Sequence, residues 1–121
     1  MGLVGTGRIG QLHVGTLTRG LAGVELVAVT DVHLESAKAC AAYSGVPQVA
    51  DDLEQILQDQ TIQALAICSS TNTHADFIER AARAGKHIFC EKPIDADLAR
   101  IDAVLKTVEA AGVKLMIGFN R

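Results

Sequence analysis

One stretch near the start of the chain decides the fold: Gly2–Leu3–Val4–Gly5–Thr6–Gly7–Arg8–Ile9–Gly10. A short apolar strand runs directly into G-x-G-x-x-G, and a helical pattern follows at once. This spacing fits a dinucleotide pyrophosphate: the first glycine permits a tight turn, the second leaves room for the phosphates, and the third lets the helix pack closely on the sheet. Free N–H groups and the positive end of the helix then face the anion. The residues predicted to contact the cofactor here are Gly5, Thr6, Gly7, Arg8, Ile9 and Gly10.

An acidic residue at the end of the second strand supports this interpretation, since glycines alone also mark ordinary turns. Residues 25–31 read as a strand with Asp31 at its carboxyl end, roughly 20 residues past the glycines. A carboxylate there accepts hydrogen bonds from the adenosine ribose and repels a 2′-phosphate, which favours NAD over NADP. The alternative is an Asp that only caps the next helix. Val32 and His33 are further candidates for cofactor contact, although a His33 imidazolium would tolerate a phosphate.

Length and composition exclude several classes of protein. The 121 residues predict one domain with a sizeable core. A net charge of −3, no Trp, one Tyr and three Phe argue against nucleic acid as a partner. No apolar run is long enough to span a bilayer, and the start lacks a signal-like pattern. Three cysteines without a C-x-x-C read as buried and unbonded, which predicts a reducing, cytoplasmic compartment.

Strand and helix patterns alternate along the chain. Further strands are predicted at residues 46–50, 64–68, 87–90 and 113–117, the first of them at an edge because Pro47 interrupts it. The run at 64–68 is apolar on both faces, as buried parallel strands are. The alternation predicts an α/β fold, a doubly wound parallel sheet with strand order 3-2-1-4-5-6 and its ligand beyond strands one and four.

Five helices are predicted between the strands. The second covers residues 34–44, and the third is capped by Asp51 with Glu54 completing a capping box. Gly85 and Gly112 end the fourth and fifth helices. The predicted buried stripes of the first, fourth and fifth helices are Ile9, Leu12, Thr16 and Leu17; Phe77, Ile78, Ala81 and Ala82; and Leu98, Ile101, Leu105 and Val108.

Two further segments carry candidate site residues at the carboxyl ends of strands. After the fourth strand, small polar side chains can line a cofactor, or Asn72 or Thr73 can simply cap the next helix. The candidates there are Cys68, Ser69, Ser70, Thr71, Asn72 and His74. The fifth strand ends in Glu91, Lys92 and Pro93, where Lys92 can hold a substrate hydroxyl and promote its oxidation, or can be an ordinary surface lysine.

The remaining titratable residues carry no site prediction. His13 and His87 read as structural or solvent-facing, and no group of His, Cys, Asp and Glu has metal-ligand spacing. No metal is therefore predicted.

Four segments together resemble the glucose–fructose oxidoreductase/inositol dehydrogenase family: the glycine motif, residues 72–74, residues 85–93 and residues 118–121. The resemblance covers the whole chain but only the N-terminal, Rossmann-fold domain of that family. The Glu91–Lys92–Pro93 signature is its most specific element. Cys-Glu-Lys-Pro and Gly-Phe-Asn-Arg are similar to the inositol dehydrogenase branch, whereas Ser70 stands where a proline is frequent.

The resemblance implies hydride transfer between NAD and a secondary hydroxyl of a cyclic polyol or sugar. Lys92 would contact the reacting hydroxyl, Glu91 and Pro93 would shape the nicotinamide pocket, and residues 69–72 with His74 would line the cofactor. The family's catalytic Asp and His lie in a C-terminal domain that also mediates homo-oligomers. Residues 1–121 are therefore expected to be a fragment that binds NAD without turning over a polyol. The alternatives are a stand-alone NAD(H)-binding or sensing module and a remnant that binds nothing.

Overall fold

The computed structural model describes residues 1–120, so Arg121, the last residue of the segment 118–121, lies outside the described residues. Six parallel strands form one sheet in the order β3-β2-β1-β4-β5-β6. The predicted fold class and strand order are confirmed. The strands are β1 Gly2–Val4, β2 Ala28–Thr30, β3 Gln48–Val49, β4 Ala64–Ile67, β5 His87–Glu91 and β6 Leu115–Gly118.

Five helices connect the strands and divide between the two faces of the sheet. They are α1 Arg8–Arg19, α2 Leu34–Ser44, α3 Leu53–Gln58, α4 Thr71–Arg83 and α5 Leu98–Ala111. On one face, Val14 of α1 and Ala37 of α2 pack with Leu3 and Val29. The core of the other face joins the apolar sides of α3, α4 and α5 to β4 and β5. No described helix has the length and apolar character that crossing a membrane requires.

The rotation of α1 differs from the prediction. Ile9 and Leu12 are exposed, the latter by 64%, whereas Gly10 and Val14 are buried. A methyl group at Gly10 would overlap the carbonyl oxygen of Gly5. Because the helix backbone approaches the glycine turn this closely, the side of α1 that carries Gly10 faces the sheet. The hydrophobicity of the neighbouring side chains does not decide the rotation of the helix.

Two other helices also depart from the predicted details. In α5, Val108 is buried as predicted and Ile101 packs on the core, whereas Leu98 and Leu105 are exposed and Val104 is buried instead. In α3 the cap is Asp52, whose carboxylate accepts from Gln55 N–H at 3.0 Å. Asp51 is therefore not the cap, and Glu54 does not close a capping box. Its carboxylate instead accepts from Arg80 at 3.1 Å.

We predict that Gly10→Ala lowers the free energy of unfolding by about 1–3 kcal/mol, because the added methyl must push α1 away from Gly5. Urea unfolding followed by circular dichroism measures the change. Gly20→Ala is the matched control, since the nearest atom to a methyl there is Thr16 O at 3.9 Å. Equal stability of the two variants would show that the close approach does not constrain the fold.

Candidate functional site

The glycine turn, which follows β1, packs directly against the backbone at the end of β4. Gly5 has a φ of +93°, and its N–H donates to Thr30 O at 2.9 Å. A Cβ at Gly5 would lie 2.5 Å from Ser69 N and 2.7 Å from Cys68 O. Both the left-handed conformation and the contact with backbone require glycine here. The turn is thus packed against the loop that follows β4.

The N-terminus of α1 is open to an anion. Gly7 is the N-cap, no side chain caps the helix, and its first turn carries no acidic residue. A Cβ at Gly7 would meet nothing within 4 Å. As in every α-helix, the N–H groups of the first turn have no intrahelical acceptors. The helix dipole favours negative charge at that point. Arg8 and Ile9 are exposed beside this opening.

Asp31 follows β2 and is held by the glycine turn. Its Oδ2 accepts from Thr6 N–H at 2.6 Å and from the Thr6 hydroxyl at 3.1 Å. Its Oδ1 accepts from His33 N–H at 2.9 Å. The N-cap of α2 is His33 rather than Asp31, so capping that helix is not the role of this carboxylate. Thr6 is buried within the glycine turn, and its main-chain N–H donates to Asp31.

These hydrogen bonds stabilise the charged form of the Asp31 carboxyl. Burial on its own raises the pKa of Asp31, but the hydrogen bonds from His33 and Thr6 outweigh burial and hold the pKa below its ordinary value of 3.8. Each carboxylate oxygen can accept more than one hydrogen bond, so acceptor capacity remains on Oδ1. Asp31 therefore offers a fixed, ionised acceptor beside the glycine turn.

A cleft of about 470 Å³ opens where β1 and β4 end. Nine of the predicted cofactor residues line it: Gly5, Gly7, Asp31, Val32, His33, Cys68, Ser69, Ser70 and Asn72. The strand order brings them together, because β1 lies between β2 and β4 and all three end at the same edge. Val32 is 93% exposed and presents an apolar side chain to any ligand in the cleft.

The loop after β4 is ordered by its own hydroxyl groups. The Thr73 hydroxyl donates to Ser70 O at 2.7 Å and accepts from the Ser69 hydroxyl at 2.7 Å. Ser70 is the N-cap of α4, so neither Asn72 nor Thr73 caps this helix. Thr71 is the first residue of α4, outside the cleft lining. Asn72 lies in the first turn and lines the cleft.

The end of β5 lies beside the cleft. The Glu91 side chain is turned toward α1, where His13 Nε2 is 2.7 Å from Oε1. Lys92 and Pro93 are exposed at the strand end and are joined by a cis peptide bond. Among the described residues, no acceptor is within hydrogen-bond distance of the Lys92 ammonium. Lys92 is therefore available to a ligand, while Glu91 is engaged by the protein.

Two buried thiols flank the strand ends without the properties of nucleophiles. Burial raises the pKa of Cys68 and of Cys90 to about 12, and the nearby Glu91 carboxylate acts in the same direction on both. Both groups therefore stay protonated near neutral pH. All three cysteines are free and buried, which confirms the prediction of unbonded core thiols.

Four residues around the site were not predicted to belong to it: Val4, His13, Thr73 and Phe77. Val4, Thr73 and Phe77 line the cleft, and His13 holds Glu91. Thr73 and Phe77 are four residues apart on α4, so they lie on one helix face; that spacing after the polar loop is the signal that could have identified them. Nothing in the sequence linked His13 to Glu91, because 78 residues separate them.

His74 is predicted as a cofactor-lining residue, yet its ring is only 2% exposed. Both ring nitrogens lie against main-chain carbonyl oxygens, those of Pro93 and Ser69. Gly10 is likewise behind the cleft, packed on Gly5. These two residues support the site from within the fold.

Comparison with known proteins places this geometry in a family. Residues 1–119 match a family described as an oxidoreductase family with an NAD-binding Rossmann fold. The chain is 49% identical over 120 residues to inositol 2-dehydrogenase of Rhizobium meliloti, covering 99% of this chain and 36% of that protein. It is 36% identical over 121 residues to myo-inositol 2-dehydrogenase of Thermotoga maritima, covering all of this chain and 36% of that protein.

A solved structure is similar over nearly the whole chain. Scyllo-inositol dehydrogenase of Lactobacillus casei, crystallised with NAD(H) and scyllo-inositol, superposes with a TM-score of 0.90 at 31% identity. The match covers 97% of this chain and 35% of that one. The chain thus spans about a third of the length of the curated relatives it matches.

We predict that Asp31→Asn lowers the free energy of unfolding at neutral pH by about 1–2 kcal/mol, because an amide cannot accept all the hydrogen bonds that the carboxylate accepts. A carboxyl group whose pKa is lowered by folding stabilises the fold above its unfolded pKa and loses that contribution as the pH falls through the folded pKa. The variant should therefore lose stability less steeply below about pH 4. Thermal unfolding across pH measures both effects.

Asp102→Asn is the control for this experiment, since Asp102 is an exposed carboxyl on α5, away from the cleft. It should keep the wild-type stability and the wild-type acid dependence. An Asp31→Asn profile that coincides with that of the control would contradict the role assigned to the carboxylate.

Proposed function

Because the chain belongs to the oxidoreductase family with an NAD-binding Rossmann fold, we propose that residues 1–121 form the dinucleotide-binding domain of an NAD-dependent dehydrogenase. The reaction is hydride transfer between NAD and a secondary hydroxyl of a cyclic polyol or sugar. The observation that carries the proposal is the cleft at the ends of β1 and β4, where an uncapped helix N-terminus and a fixed carboxylate lie side by side.

The residues of the cleft fit the cofactor. The open space at Gly7 and the free amides of the first turn of α1 suit a pyrophosphate, which a side chain at that position would obstruct. Asp31 would accept from the adenosine ribose hydroxyls, and its negative charge would repel a 2′-phosphate. Val32 and His33 flank that position, and the segment from Cys68 to Asn72 lines the other side.

The residues proposed to act on the substrate hydroxyl lie at the end of β5. Bound in the cleft, NAD would supply the hydride acceptor for the oxidation of a secondary hydroxyl to a ketone. Lys92 would hold the hydroxyl oxygen and stabilise the negative charge that develops on it. His13 fixes the Glu91 carboxylate, so the strand end that carries Lys92 is anchored to α1. Pro93 would shape the nicotinamide side of the pocket.

Substrate class is inferred from the relatives, and assembly from the family resemblance. The proteins of Rhizobium meliloti and Thermotoga maritima are named as dehydrogenases of inositol, and the Lactobacillus casei structure contains scyllo-inositol. A cyclic polyol is therefore the substrate class that we propose. A homo-oligomer of the complete protein is expected from the same resemblance, and the exposed Met116 and Phe119 on and beside the edge strand β6 provide apolar surface for such contacts.

We predict that the chain binds NADH at least about tenfold more tightly than NADPH, because Asp31 repels the additional phosphate. Parallel fluorescence titrations with the two nucleotides measure the ratio. Gly7→Ala should weaken NADH binding by about tenfold or more while leaving stability unchanged, since its methyl projects into open space where the phosphates would bind. Gly20→Ala serves as the control. Absence of binding to either nucleotide would refute the proposed function.

We also predict no turnover when the chain is incubated with NAD and myo-inositol, because the resemblance places the family's catalytic Asp and His in a C-terminal domain outside residues 1–121. Absorbance of NADH at saturating cofactor is the measurement. Sustained NADH formation that exceeds that of a Lys92→Ala control would contradict this prediction. It would show that residues 1–121 are sufficient for catalysis.

A further inference from the structure

His74 connects the two loops that border the proposed site. The residue lies on α4 with its ring buried. Its Nδ1 is 2.7 Å from Pro93 O, in the loop after β5, and its Nε2 is 3.0 Å from Ser69 O, in the loop after β4. A single side chain thus spans the main chains on both sides of the site, one residue away from Lys92.

The two protonation states of the His74 ring differ in how many of these contacts they satisfy. A carbonyl oxygen only accepts hydrogen bonds, so each ring nitrogen must donate. Neutral imidazole carries one N–H and would direct a lone pair at the second carbonyl oxygen. The imidazolium carries two N–H groups and satisfies both contacts. The two acceptors are therefore satisfied together only by a ring that carries both protons.

The described acidic groups around His74 are paired with other residues and do not contact its ring. No described carboxylate oxygen lies within 4.0 Å of a His74 ring nitrogen. On α4 itself, Asp76 faces Arg80, and Glu79 is paired with Arg83 and with Arg100 of α5. After β5, Asp95 accepts from Asp97 N–H.

On β5 itself, Glu91 is engaged by His13 on the opposite face of the sheet, and the exposed Lys92 adds positive charge near Pro93. The described residues of β4 carry no charge. The Ser69 and Pro93 carbonyl oxygens are thus the described groups that would stabilise a charge on the ring.

We propose that His74 is a positioning residue whose imidazolium ties the loop after β5 to the loop after β4, and thereby sets the place of Lys92 beside the cofactor cleft. Loss of one ring proton breaks one of the two hydrogen bonds and frees the corresponding loop. The consequence for cofactor binding rests on the proposed function, whereas the state of the ring does not.

The first test is a nitrogen-15 NMR spectrum of the wild-type chain. At about pH 6 we expect both His74 ring nitrogens to carry protons that exchange slowly with water. His87 provides an internal reference for exchange, since its side chain is exposed at the start of β5 and its ring protons should exchange rapidly with water. A neutral His74 ring at this pH would overturn the proposal without any variant having to fold.

The second test follows the loops as the pH rises. The amide signals of Ser70 and Ile94, next to the two acceptor carbonyls, should shift with the same midpoint as the ring. NADH affinity should fall by about fivefold to tenfold through that midpoint. Amide signals that do not follow the ring would overturn the proposed tie.

Variants separate positioning from cofactor binding as such. His74→Gln cannot donate on both sides and stays neutral, so it should bind NADH about tenfold more weakly at about pH 6 and lose the pH-dependent step. His87→Gln, at the opposite end of β5, should keep the wild-type affinity for NADH and the pH-dependent step in binding. Failure of the wild-type chain to bind NADH would refute the proposed function, while the ring spectrum would still decide the role of His74.

Discussion

The close contact between the backbone of the glycine turn and the end of β4 is the constraint on which the site depends. A Cβ at Gly5 would lie 2.5 Å from Ser69 N, so the turn and the neighbouring loop can approach only when no side chain separates them. The same packing brings Gly10 against the turn and fixes the rotation of α1. It directs the uncapped N-terminus of the helix into the cleft between the two strand ends.

Electrostatic preorganisation follows from this packing. The helix N-terminus attracts an anion, and Asp31 is held ionised beside it by hydrogen bonds from Thr6 and His33. Opposite charges are thus separated within one cleft, which matches a ligand with phosphates at its centre and hydroxyl groups at one end. Lys92 adds a cation at the next strand end, where it is free of acceptors among the described residues.

Sequence patterns predicted the parts of the structure that depend on local chemistry. The strand order, the bounds of α2, the glycine turn and Asp31 all follow from spacing along the chain. The rotation of α1 and the burial of Val104 in place of Leu105 on α5 did not, because they depend on which helix face approaches the sheet most closely. The contacts of His74 with Pro93 and of His13 with Glu91 link residues that are 19 and 78 positions apart, so no local pattern reveals them.

The amide of Thr6 illustrates how the two ends of the cleft are mechanically linked. It belongs to the loop that would receive phosphates, yet it donates to the carboxylate that would receive the ribose. A nucleotide fragment that engages only Asp31 would therefore also stiffen the loop for the rest of the molecule. The binding free energies of the two halves of a dinucleotide should consequently not add up to that of the whole, because ordering of one shared element contributes to each half.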